Sequence, residues 1–464
     1  MDTASRPFDL KIAEQIEAIA IAIAMALVLK FFVIEAYQIP TGSMQPTILG
    51  DATSGIKDRV LADKLCTMLR DPRRWEVMIF RFPLDERRLY VKRIVGLPGE
   101  TLEIRGGDVW IDGHIARKPD AVNDSVLKTV FPVTDGGIDL PRAFAATGPG
   151  ITVAGPSARF APETEAELRL RGTVQADYLH GYDPAWKIPR GQSGAEAVGD
   201  LELACDATLD PGARQLEITL TGDEGSTVFT LPRTGDGRSA GITHQPAKGG
   251  EPATLWPPAR GGPPALAGTL EAGRAVRVVA RNVDRQIALW VDGELIARLD
   301  DDASGFRAER PQKATAALAV RGGGSVDRVV LRRDIYYTQR GPPNPLWKIP
   351  GDSYFALGDN TQGSLDGRSW ELKTFTMRDG STHSGFLFEA PRIGPPPPDA
   401  NPRVLSANRF VFADVHGDEF VLDRADIVAE RSEYAPFVNR RFLLGKAIAV
   451  FWPIIHPFRW KLIR

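Results

Sequence analysis

The sequence predicts a mainly β protein: a β core preceded by an N-terminal transmembrane helix and interrupted by an inserted β-sandwich. Three observations carry this. Turn formers are abundant, with 45 Gly and 36 Pro in 464 residues, above the usual share but below that of low-complexity chains. Between 200 and 337 a series of strand-like runs, among them DLELACDATL, RQLEITLTG, STVFTLPR, RAVRVVARN and SVDRVVLRRDIYY, is separated by Gly and Asp turns, the pattern of a sandwich. Apolar residues also gather at the two ends of the chain.

Taken in order, residues 1–17 form a polar, cytoplasmic N-terminal segment and 18–37 a transmembrane helix. The run AIAIAIAMALVLKFFVI at 18–34 is apolar except for Lys30. At ~1.5 Å per residue it spans about 25 Å, and extension to Tyr37 makes it comfortable for a bilayer, with Lys30 and Glu35 reaching the headgroups. A cleaved leader fits less well, because Arg6 and Lys11 are matched by Asp2, Asp9, Glu14 and Glu17 and no small-x-small site follows directly.

Residues 38–120 are the first part of the core, with strands near Val77 to Phe82 and Leu89 to Val95. TLEIRGGDVWIDGHIAR then reads as consecutive hairpins turning at Gly-Gly and Asp-Gly. Residues 121–196 read as an irregular insertion, 197–340 as the inserted sandwich and 341–371 as the second part of the core. WKIP at 186–189 and again at 347–350 is too short to mark a repeat. Residues 372–434 form a small β insertion that includes the rigid turn PRIGPPPPDANP. Residues 435–464 hold a final core strand, Leu443 to Trp452, and a basic, aromatic tail suited to an anionic membrane surface.

Charge and cysteines exclude several classes. Lys+Arg number 57 against 59 Asp+Glu, so no basic surplus serves a nucleic acid. Cys66 and Cys205 form no C-x-x-C, which removes a disulfide scaffold and a thiolate zinc site.

Two residues stand out chemically. Ser43 lies in Pro40-Thr41-Gly42-Ser43-Met44-Gln45-Pro46-Thr47, directly after the apolar run, where flanking prolines can hold it rigid; the same string is also ordinary loop chemistry. A serine nucleophile needs a base in reach. There is no G-x-S-x-G, and none of the six histidines has a telling context, so a Ser-His-Asp triad is disfavoured. Lys92, in Tyr90-Val91-Lys92-Arg93-Ile94, can supply a base if burial keeps its amine neutral. Strand alternation places Tyr90, Lys92 and Ile94 on one face and Arg93 on the other. On local pattern alone, a surface lysine beside a surface arginine stays open.

The order of blocks is more specific. PTGSMQPT, VMIFRFP, YVKRIVGLPGE, GDSYFALGDNTQGSLDGRSW at 351–370 and LLGKAIAVFWP at 443–453 follow one another behind an apolar helix. In these blocks the chain resembles the type I signal peptidases. The resemblance implies a membrane-bound Ser/Lys endopeptidase that removes signal peptides from exported preproteins, cutting after small residues. It implies Ser43 as nucleophile, Lys92 as general base, and an oxyanion hole made by the Thr41 hydroxyl and the Ser43 N–H. Ser364 orients the lysine, and Asp359, Asp366 and Arg368 support the site. Asn360 falls in the family's Gly-Asp-Asn turn, and Gly445 and Lys446 in the Gly-Lys of the last strand. The implied setting is the inner membrane, single-pass, with the catalytic part on the periplasmic face. No metal, cofactor or nucleic acid is called for.

The chain departs from the family pattern at Thr361-Gln362-Gly363, where Arg-Asp-Asn is common, and at Gly367 and Glu371, where Ser and Gly are usual. Residues 197–340 resemble concanavalin A-like or laminin-G-like sandwiches, a family whose members often bind glycans; the fold alone fixes no ligand, so an envelope glycan as partner and a spacer without ligand both stay open. Two other readings are an idle envelope-binding protein on a peptidase scaffold and a self-cleaving regulator. The apolar N-terminus and near-neutral charge disfavour the latter.

Overall fold

The computed structural model describes residues 8–50, 57–131, 140–176, 196–222, 225–247, 249–256, 268–300, 314–339, 345–388, 400–452 and 460–463. The first WKIP, most of the Pro-rich turn at 391–402 and most of the tail lie outside them.

The chain enters through a helix, α1 (Phe8–Val28), a five-residue π turn (Leu29–Val33) and strand β1 (Ile34–Gln38). This corrects the helix expected over 18–37. Residues 34–38 pair antiparallel with β2 (Arg59–Asp63), from Ile34↔Asp63 to Gln38↔Arg59. Lys64 sits 3.2 Å from Glu35, and the Tyr37 hydroxyl donates to Glu35 at 2.7 Å. Sheet partners therefore take the residues that local hydropathy assigned to a helix. Among the described residues no helix is long and apolar enough to cross a membrane. The described part of α1 nevertheless exposes Ile16, Ile19, Ile21, Ile23, Met25 and Leu27.

The core sheet runs β1, β2, Leu443–Trp452, β3 (Val77–Phe82), β4 (Asp85–Gly96), Ser353–Leu357 and Phe437–Asn439. Strands from opposite ends of the sequence thus lie side by side. The end of β4, Val91 to Gly96, is buried without a break, because both faces of the sheet are covered. One face packs Met78, Phe80, Phe82 and Ile94 under Trp370, and the other packs Val77, Ile79 and Val91 against Met44 and Ile48. Buried on two sides, a strand loses the polar alternation that marks a half-exposed one.

The hairpin of β5 (Thr101–Arg105) and β6 (Asp108–Ile111) follows, in register from Leu102↔Ile111 to Arg105↔Asp108. The chain then leaves for the insertion. Two sheets pack around one apolar core that includes Cys205, Leu203, Ile218, Phe229, Val278 and Leu318. One sheet centres on Leu201–Leu209 between Ala275–Val283 and Gly324–Arg333; the other centres on Gln215–Thr221 between Gly225–Pro232 and Thr315–Arg321.

The stretch 121–196, expected to be irregular, in fact supplies strands to both sheets. Ser157–Phe160 pairs with Gly324–Arg333, and Leu168–Leu170 pairs with Thr315–Arg321. At three or four residues each they are too short to show an alternation. Lys128–Phe131, on the way in, pairs with Gly324–Arg333, on the way out. Adjacent ends allow an insertion of this size without distorting the core.

The remaining segment, 372–434, forms two small three-stranded sheets, one of Thr382–Phe386, Glu371–Met377 and Ile427–Tyr434. Phe375, Phe410 and Phe412 close a small core of their own.

Candidate active site

Ser43 lies in a 3-10 turn, Gly42–Met44, seated on the core sheet by the fully buried Met44. Lys92 projects from β4, opposite Met78 of β3. The Lys92 Nζ and Ser43 Oγ are hydrogen-bonded at 2.7 Å. Lys92 is 3% exposed, and burial pushes its amine down to about 8 from 10.5; the negative charges of Asp366 and Asp359 pull it part of the way back, while Arg368 opposes them.

The chain from 358 to 368 wraps this pair. Asn360 fastens it to the serine turn, its N–H donating to the Ser43 carbonyl at 3.1 Å and its side-chain amide to the Gly42 carbonyl at 2.9 Å. Ser364 is buried. Gly358 lets it approach: a Cβ there would land on both the Ser364 Oγ and the Ser43 carbonyl. Glycine is thus required for close packing, at a position whose backbone φ is ordinary.

Two ion pairs, every member fully buried, hold the surroundings. Asp366 accepts from Arg368 Nε at 2.8 Å and Nη2 at 2.7 Å, and from the Gly358 N–H at 3.1 Å. Asp359 accepts from Arg93 Nε at 2.8 Å and Nη2 at 2.7 Å, and from the Thr47 hydroxyl. Burial alone raises both carboxyls, but the adjacent guanidinium outweighs it and holds each below the usual aspartate range. Bidentate geometry with the remaining lone pairs satisfied is what makes such a pair tolerable away from water.

Ser43, Lys92, Asp359, Asn360, Ser364, Asp366 and Arg368 therefore converge on one locus. Thr41 is exposed at its rim, in extended conformation, and its hydroxyl does not cap the turn. Gly445 and Lys446 lie across β3; the Lys446 ammonium goes to Glu76 at 3.0 Å, away from Ser43. Sequence reasoning missed Arg93, Thr47 and Lys128, whose amine donates to the Asp359 carbonyl at 3.3 Å. Burial along β4 is unbroken from Val91 to Gly96, Lys92 and Arg93 included, and in the sequence these two adjacent charges offer no local sign that both faces are covered.

A second polar cluster lies between hairpin and sandwich. Carboxylate oxygens of Asp108, Asp200, Asp284 and Asp334 fall within 4.8 Å of one another, a grouping able to hold a cation. The Lys118 ammonium already pairs with Asp284 at 2.5 Å and Asp334 at 2.8 Å. Burial and the neighbouring carboxylates push Asp200 up to about 8.

Residues 12–131 match the family model described as signal peptidase, peptidase S26. Signal peptidase I of Pseudomonas fluorescens is 44% identical over 85 residues, 17% of this chain and 30% of that protein. Signal peptidase I of Leptolyngbya laminosa is 34% identical over 120 residues, 24% of this chain and 56% of that protein. The matched part thus spans about a third to somewhat over half of these curated relatives. The matched segment contains Ser43 and Lys92; the 358–368 turn lies beyond it. A solved carbohydrate-binding module, CBM66 of Bacillus subtilis, aligns with 43% of this chain at a TM-score of 0.26 and 8% identity, a likeness too slight to carry an argument about the sandwich.

Proposed function

We propose that the protein is a membrane-bound serine endopeptidase that removes N-terminal signal peptides from exported preproteins, cutting after small residues through Ser43 and Lys92. The observation that carries this is the 2.7 Å contact between Ser43 Oγ and a fully buried Lys92 whose amine is shifted down to about 8. In its neutral form Lys92 takes the Ser43 proton as Oγ attacks the scissile carbonyl, then returns it to the leaving amine. Water, activated by the same lysine, hydrolyses the acyl-enzyme and frees Ser43. The tetrahedral oxyanion sits against the Ser43 N–H and the Thr41 hydroxyl, and loss of one such donor typically costs ~3–4 kcal/mol. Ser364 orients the amine, the part the third member plays in a triad.

The exposed apolar side chains of α1 run from Ile16 to Val28, upstream of Ser43, which supports anchoring in a membrane; the inner membrane, with the catalytic part on the periplasmic face, is the setting that the family resemblance implies. An idle scaffold is the weaker reading, because it leaves the buried, hydroxyl-bonded lysine without a role. The test is cleavage of a preprotein in detergent by wild type, Ser43→Ala and Lys92→Ala. Both substitutions abolish cleavage, and full activity in either refutes the assignment.

A further inference from the structure

The turn from 358 to 368 bonds to Ser43 through the Asn360 N–H and places the charges of Asp366, Arg368 and Asp359 around Lys92. Part of it closes on itself: the Gly363 N–H donates to Asn360 Oδ1 at 2.8 Å, and Arg368 donates to the Thr361 carbonyl at 3.0 Å. Toward the core it is held by Arg93 on Asp359 and by the Gly367 N–H on the Ala356 carbonyl at 3.2 Å. Besides these and the bonds of Asn360 and Asp359 to the serine turn and Thr47, it is attached to the insertion and to the segment leaving it. The Thr361 hydroxyl donates to the Tyr336 carbonyl at 2.8 Å. The Gln362 amide reaches the Ala176 carbonyl and Glu196 Oε2, each at 3.3 Å. Arg368 Nη1 donates to the Thr338 carbonyl at 2.8 Å, and Lys128, at the entry to the sandwich, donates to the Asp359 carbonyl.

These receivers are themselves fixed. The Tyr337 N–H donates to the Gly107 carbonyl at 2.9 Å, and the Tyr336 ring lies over Gly107, where a Cβ would strike it. Ala176 donates its N–H to the Glu196 carbonyl at 2.8 Å. Thr361 and Gln362 are also two of the positions at which the chain departs from the signal peptidase pattern. A hydroxyl and an amide stand there, and each donates to an acceptor that the insertion provides.

We propose that the inserted sandwich positions the catalytic turn, with Thr361, Gln362 and Lys128 as the positioning residues that transmit its hold to Ser43. The proposal rests on the reading of Ser43 and Lys92 as the catalytic pair. The sandwich is then a working part of the enzyme, and a change in its docking alters the rate of bond cleavage before it alters substrate binding.

The experiment compares wild type, Thr361→Val/Gln362→Ala and Thr361→Ser in the full chain in detergent. It measures kcat and KM on a preprotein, and amide hydrogen exchange across 357–366. The double variant is expected to lower kcat on the order of tenfold to a hundredfold, the scale of a small displacement of reacting groups, with KM little changed and faster exchange in the turn. Thr361→Ser, which keeps the hydroxyl, stays near wild type. Unchanged kcat, or a loss confined to KM, overturns the proposal, as does turn exchange at the wild-type rate. Should the double variant not fold, Gln362→Ala alone, at a half-buried position, supports the same comparison. A Ser43→Ala control separates the two levels. If it still cleaves, the catalytic assignment fails, while the exchange measurement still reports whether the sandwich holds the turn.

Discussion

The pH dependence of cleavage follows from the burial of Lys92. With a free lysine at 10.5 and this one at about 8, the neutral fraction at pH 7 is roughly 10% against roughly 0.03%, a gain of about 300-fold or about 3 kcal/mol. Below pH 8, kcat/KM should rise about tenfold per pH unit, because each unit multiplies the free base by that factor. Above pH 8 it should level off. The assay is kcat/KM on a preprotein in detergent from pH 5.5 to 9.5, with Lys92→Met as reference. That variant should lose on the order of a thousandfold or more, within the range of a general base combined with a bonded nucleophile. A flat profile between pH 6 and 9 refutes the reasoning. So does a limb centred near 6.5, which points to a histidine, or one still climbing tenfold per unit at pH 9.5.

Three further outcomes follow from the same geometry. Lys92 has a lower pKa folded than unfolded, so its contribution to stability is greatest above about 10.5 and is lost as pH falls through about 8; Lys92→Met should gain on wild type in denaturant titrations over that window, by up to about 3 kcal/mol less about 1 for the lost hydrogen bond. Gly358→Ala drives a methyl into Ser364 and the Ser43 carbonyl, and should cut kcat by ~100-fold or more while costing about 1–3 kcal/mol in stability. Deleting residues 1–28 leaves β1 and its pairing with β2 in place, so the truncated protein should keep its kcat on a soluble peptide substrate and lose binding to lipid vesicles in a flotation assay.

Much of the fold is legible because alternation is a local signal. The sandwich strands from Leu201 onward bury every second residue or run continuously apolar, and the β5/β6 hairpin announces itself through Gly106-Gly107. What escaped was set by distant partners. Ile34–Gln38 has the hydropathy of a helix end, and only pairing with β2 makes it a strand. Strand alternation turns Arg93 away from Lys92, and its side of the sheet is buried as well. Its partner Asp359 is 266 residues downstream, beyond any window in which charge pairing can be read. Ser43 and Lys92 are 49 residues apart, and family block order, rather than spacing, linked them.

The two buried Arg–Asp pairs solve a problem that Lys92 poses. Rigid acceptors are needed around the turn, as when Asp366 takes the Gly358 N–H, yet a bare carboxylate beside the lysine favours its protonated form and removes the base. Pairing Asp366 with the Arg368 guanidinium keeps the acceptor while opposing its field at Lys92. Asp366 raises the Lys92 pKa and Arg368 lowers it. Asp366→Asn should therefore move the acid limb of the kcat/KM profile to lower pH, and Arg368→Met should move it higher. Both variants leave a buried charge without its partner and should lose about 3–5 kcal/mol of stability. General loosening of the site would shift both profiles in the same direction, toward that of a free lysine. Opposite shifts from the two halves of one ion pair, read in matched titrations, identify the effect as electrostatic, and shifts of the same sign refute it.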